Sequence, residues 1–176
     1  EPQQQQAQLR VPAHQRYVRI VVSDIFRIYL YVFIATTTTY ANSCAYRWNQ
    51  TGTTVAGTGT FGVGANQLYS PVSVFIDAND LMYIADTNNN RIQRWLLNAT
   101  SGTTSAGSSS GTGGSSASLL NTPNAVYVDS NQNLYIADSS NYRVQYWQSG
   151  ASSGSTIAGL TGNYGSANTQ LGSASY

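Results

Sequence analysis

The chain has 176 residues, of which 41% are hydrophobic and 9% charged, with a net charge of +1. Ordinary apolar content with almost no net charge excludes a disordered chain, and near neutrality leaves no basic stripe to neutralise a row of phosphates, which excludes nucleic-acid binding. Cys44 is the single cysteine, so there is no internal disulfide framework, and the thiol is either buried or half of an intermolecular disulfide.

The first 43 residues form a leader that differs from the rest. It opens on Glu1-Pro2 and a Gln run, and holds four of the eight Arg (Arg10, Arg16, Arg19, Arg27). Its uninterrupted apolar stretch, Ile28 to Ala35, is too short for a membrane span, which needs about twenty residues. Two readings stand side by side. Basic residues ahead of a short apolar centre suit a secretory signal or anchor. A run of Tyr, Val, Phe and Ile equally suits buried strands of a degenerate first repeat.

From residue 44 the chain becomes periodic. Trp48, Trp95 and Trp147 mark the period, as do Ala56-Gly57, Ala106-Gly107 and Ala158-Gly159. Ungapped alignment of 71–95 with 123–147 finds 12 identities in 25 positions: the Tyr-Ile-Ala-Asp run, plus single Pro, Val, Asp, two Asn, Arg, Gln and Trp matches. Each unit of about fifty residues reads as four short strands. In the first full unit these are Val74–Ile76, Leu81–Ala85, Arg91–Trp95 and a strand ending at Ala106. The second has Val126–Val128, Leu134–Ala137, Arg143–Trp147 and Ser155–Ile157. Asn, Asp and Ser fill the turns between them, where their side chains support tight backbone conformations.

Four strands per unit predict an all-β fold of β-propeller blades. The pattern Pro-x-x-Val-x-x-Asp, then Tyr-Ile-Ala-Asp, then Asn-x-Arg-[Ile/Val]-Gln-x-Trp resembles the NHL-repeat family. The resemblance covers 44–176: blades at 57–106 and 107–158, with partial copies at 44–56 and 159–176. In the first partial copy Ser43 and Cys44 replace Asn90 and Arg91. The propeller is therefore expected to be incomplete within this chain, leaving open blade edges through which copies associate, as a closed ring or as a fibre.

Gly57 to Gly62 fits the dinucleotide pattern G-x-G-x-x-G, yet no helix follows to face a pyrophosphate. It reads as an inter-blade connection, and no cofactor is expected. Asp86 with Arg91, and Asp138 with Arg143, stand at the two ends of one turn in successive blades. A carboxylate there accepts backbone N–H bonds in the turn and pairs with the guanidinium; the other reading is a ring of carboxylates for a metal or substrate. Asp77, Asp80 and Asp129 sit at hairpin turns, with a calcium site as the alternative. His14 is the one histidine, so neither a Ser-His-Asp triad nor the multi-His zinc set of NHL-type amidating lyases assembles in the repeats, and no catalytic activity is expected.

Asn49-Gln50-Thr51 and Asn98-Ala99-Thr100 are N-glycosylation triplets in corresponding loops, each just after the Trp of a repeat. The Ser/Thr-rich loops 100–118 and 149–156 suit O-linked sugars. Together these features lead to a secreted or cell-surface propeller that binds proteins, its own copies included. The alternative is a fragment of a lyase- or lactonase-like propeller enzyme whose catalytic residues lie in missing blades.

Overall fold

The computed structural model describes residues 18–22, 30–36, 47–48 and 53–172, with side chains from Thr54 onward. The described chain is all-β. A first sheet contains β1 (Val18–Val22), β2 (Leu30–Thr36), β3 (Arg47–Trp48) and β4 (Thr53–Thr54). β1 and β2 are antiparallel, with Val18 opposite Ile34, while β2 pairs with β3 at Ala35 and with β4 at Tyr31. The signal and blade readings of Ile28–Ala35 differ in side-chain burial, and those side chains lie outside the described residues. No helix among the described residues is long and apolar enough to cross a membrane.

Two four-stranded antiparallel sheets follow, in strand order β5-β6-β7-β8 and β9-β10-β11-β12. The first comprises β5 (Pro71–Ile76), β6 (Leu81–Asp86), β7 (Arg91–Leu96) and β8 (Thr103–Gly107). The second comprises β9 (Pro123–Val128), β10 (Leu134–Asp138), β11 (Arg143–Trp147) and β12 (Ser155–Gly159). These are meandering propeller blades. Each strand begins or ends within a few residues of its sequence expectation; the inner strands start earlier, at Pro71 and Pro123.

The hairpins owe their shape to side chains that bond the backbone locally. Between β5 and β6, Asp77 Oδ1 accepts the N–H groups of Asn79 and Leu81, each at 2.9 Å. Asp129 does the same for Asn131 and Asn133 between β9 and β10. Single 3-10 turns, Thr87–Asn89 and Ser139–Asn141, link the second strand to the third and end on left-handed residues, Asn90 and Tyr142. Gly107 and Gly159 close the fourth strands at φ +81° and +83°, their α-carbons packed onto the carbonyls of Asn90 and Tyr142, where a Cβ has no room.

Alternation sends successive side chains to opposite faces of each sheet. On one face of β5–β8, Met82, Ile84 and Trp95 are buried with Ala56 and Leu68. On the other, Tyr83, Ala85, Ile92 and Ala106 meet Leu120, Val126, Val128, Leu134, Ile136 and Trp147 of the next blade. The core is thus a stack: the trailing face of one blade covers the leading face of the next.

Candidate functional site

Two features stand out, a buried polar latch repeated in β5–β8 and β9–β12 and an aromatic face on β9–β12 that no described residue covers. The latch is built where β6 ends and β7 begins. Asp86 and Arg91 face each other across the ladder, and Arg91 Nε donates to Asp86 Oδ2 at 2.8 Å with both side chains almost fully buried. Asn89 Nδ2 reaches the same oxygen at 2.9 Å and the carbonyl of Gly62 at 2.7 Å. The other carboxylate oxygen, Oδ1, accepts the N–H of Tyr69 at 2.6 Å. Arg91 then spends its terminal nitrogens on the carbonyls of Val63, Gly64, Gln67 and Ser109. One guanidinium therefore fixes the connection leading into its blade. A buried pair survives because nearly every donor and acceptor is used.

The second blade repeats this almost atom for atom. Arg143 Nε lies 2.7 Å from Asp138 Oδ2, Asn141 bridges Asp138 and the Gly114 carbonyl, and Asp138 Oδ1 accepts the N–H of Asn121 at 2.6 Å. Arg143 holds the carbonyls of Ser115, Ser116 and Leu119. The backbone N–H groups bound by the two carboxylates come from the incoming connection, whereas the sequence pointed to the Asn-rich turn itself. Asn89 and Asn141 were missed as latch members. Their signal was the Asn of the repeated Asn-x-Arg.

The Gly57–Gly62 stretch runs into this latch, and its electrostatics are opposite to those of a phosphate loop. Phosphate cradles aim N–H groups at an anion; here the carbonyls of Gly62, Val63 and Gly64 converge on a cation. Asp77 and Asp129 give one oxygen each to turn amides, Asp80 is exposed at φ 60°, and among the described residues no three of His, Cys, Asp and Glu come together. Asn98 is exposed in the β7–β8 turn at φ 66°, where the next repeat has Gly150 at φ 77°. The left-handed turn alone accounts for an asparagine there. Cys44, Asn49 and His14 lie outside the described residues.

Two carboxylates differ in how they titrate. Burial pushes the Asp86 carboxyl above its ordinary 3.8, against the pull of Tyr69 N–H, Asn89 and Arg91. Asp129, in the open hairpin, is held below it by Asn133 and then by the turn amides. A raised native pKa adds stability as pH falls, lost again as pH rises through that pKa; a lowered one adds stability above the ordinary carboxylate range, lost as pH falls. Carboxyl-detected NMR titration should therefore find the Asp86 midpoint above 3.8 and that of Asp129 below it, so that acid weakens the β9–β10 hairpin first.

The trailing face of β9–β12 has no blade over it among the described residues. Tyr127, on β9, is 56% exposed. Tyr83 in the covered blade is 2% exposed, yet its counterpart Tyr135 is only half-buried. An aromatic row crosses the sheet, Tyr127 to Tyr135 at 5.9 Å and Tyr135 to Tyr146 at 5.2 Å, and Phe75 of β5 in the preceding blade meets its inner end at Tyr127, 5.3 Å away. Tyr142 meets Tyr164 edge-on at 5.5 Å beyond it. Tyrosine offers broad apolar contact with a hydroxyl that stays wet, the chemistry enriched at protein interfaces.

Comparison with known proteins agrees with this geometry. Residues 120–146, which cover the end of the connection, β9, β10 and most of β11, match the family model of the NHL repeat. No curated protein matches the chain.

Proposed function

The chain carries an NHL repeat within a row of propeller-type blades, and from that premise we propose that it is a non-catalytic scaffold that binds protein partners through the open face of its last blade. One observation carries this: a tyrosine-rich sheet face of β9–β12 that no described residue covers, whose counterpart on β5–β8 is a buried interface. Contiguous apolar surface of this kind marks interaction sites.

The finer form of the reading places the protein outside the cell, with N-glycans on Asn49 and Asn98 and copies associating through blade faces into a ring or fibre. The low charge supports association, since repulsion between copies is weak. The exposed turn at Asn98 supports modification by leaving the amide accessible. Expression through a eukaryotic secretory route should yield protein heavier than its sequence mass, and Asn98→Gln should remove one glycan. An unmodified secreted product sinks the glycoprotein reading. Solution mass should rise with concentration; a constant monomer mass sinks self-association.

A further inference from the structure

The loop Tyr164–Gly172 has the same fold as the two loops that the latches hold. Tyr164 bridges to Leu171 as Phe61 does to Leu68. Gln170 N–H donates to the Ala167 carbonyl at 2.8 Å, as Gln67 does to Gly64 and Leu119 to Ser116. The Gln170 side chain accepts the N–H of Ala167 at 3.3 Å, repeating Gln67 with Gly64. By this equivalence the carbonyls of Ser166, Ala167 and Gln170 stand where Arg91 and Arg143 find their acceptors. The carbonyl of Gly165 stands where Asn89 and Asn141 donate, and Gly172 N–H where Asp86 and Asp138 accept. Among the residues with described side chains the arginines are Arg91, Arg94 and Arg143. The first and last are committed to their own loops, and Arg94 stands in the first blade on β7, opposite Tyr83.

We propose that Tyr164–Gly172 is the acceptor half of a third latch, and that together with the Tyr127–Tyr135–Tyr146 face it docks the leading face of a further NHL-type blade bearing an Asp-x-x-Asn-x-Arg turn. The inference rests on the interaction-module reading and names the partner of that face. The interface between β5–β8 and β9–β12 shows what the occupant must bring: an apolar leading face like Val126, Val128, Leu134, Ile136 and Trp147, and one guanidinium. A second copy of this chain, leading with its first sheet, does not bring the latch. Ser43 and Cys44 stand at the Asn90 and Arg91 positions in sequence, and by the same offset Thr39 stands at that of Asp86. Copies can cover the aromatic face, but their first sheet carries no Asp-x-x-Asn-x-Arg turn.

The test inserts a repeat of residues 122–172 into the full chain directly after Gly172, ahead of Ser173–Tyr176. This sets the copied Arg143 the same 24 residues beyond Gln170 that separate Arg143 from Leu119 and Arg91 from Gln67. Amide exchange at Gly172 should slow by roughly tenfold or more relative to the parent chain, with a gain of sheet in circular dichroism. Arg143→Gln in the added copy alone should abolish most of that protection while a glutamine variant at an exposed added position does not. An added segment that stays unstructured overturns the proposal, because the face is held to receive it. So does unchanged exchange at Gly172, or protection indifferent to the arginine. Protection of Gly172 in the concentrated parent chain would make a second copy the occupant and equally overturn it. If the parent associates but the arginine variant is silent, the interaction module survives and the latch does not.

Discussion

Replacing Arg91 by leucine should lower the unfolding free energy by about 3–5 kcal/mol, the range for removing one partner of a buried ion pair. Three losses combine. Asp86 is left buried and without its cation. The carbonyls of Val63, Gly64 and Gln67 lose the donor that gathered them. The connection carrying Leu68, itself buried against Met82 and Trp95, loses its tether. Denaturant unfolding of Arg91→Leu beside Asp86→Leu and the double variant measures this. The double variant should cost clearly less than the sum of the singles, since it leaves no charge stranded. Additive costs would show that pair and loop are independent. Arg91→Lys should recover little, because one ammonium cannot reach a carboxylate and four carbonyls in a planar fork.

How much of this was legible in the residues depends on the chemical nature of each part. Asp86, Arg91, Asp138 and Arg143 could be read because a charged pair recurring at a fixed place in an almost uncharged chain has few explanations. What the pair holds was not legible. Its acceptors are main-chain carbonyls, and the loops supplying them, Gly62-Val63-Gly64 and Gly114-Ser115-Ser116, share little beyond small size. The left-handed positions show the same limit. Asp80 and Asn90 suit positive φ by residue type, but Gln132 and Tyr142 take the same conformation at the same places. There the Asp129 turn and the 3-10 turn impose the geometry whatever side chain sits at the end. The strands were readable from β-branched and aromatic runs with period-two spacing. Which face of a blade is covered was not, because Tyr83 and Tyr135 each lead the same run, Ile-Ala-Asp, and that run does not tell what lies over them.

That identity makes the pair a sharp test of the open face. Tyr83→Ala should destabilise by about 3 kcal/mol, since it empties a site in the closed interface between the blades. Its ring is packed among Ile92, Leu120, Val126 and Trp147, and nothing in that cluster can move in without leaving its own contacts. Tyr135→Ala, the same change 52 residues later, should cost about 1 kcal/mol or less, because its ring is only half-buried and water already reaches it. Association should respond in the opposite sense. Tyr135→Ala should weaken any complex made through the trailing face of β9–β12, through lost contact with Tyr127 and Tyr146 as well as with the partner. Tyr83→Ala, assayed below its melting temperature, should leave that complex unchanged. Equal destabilisation by the two substitutions would mean that the trailing face is already covered in the isolated chain, and the scaffold reading would lose the surface on which it stands.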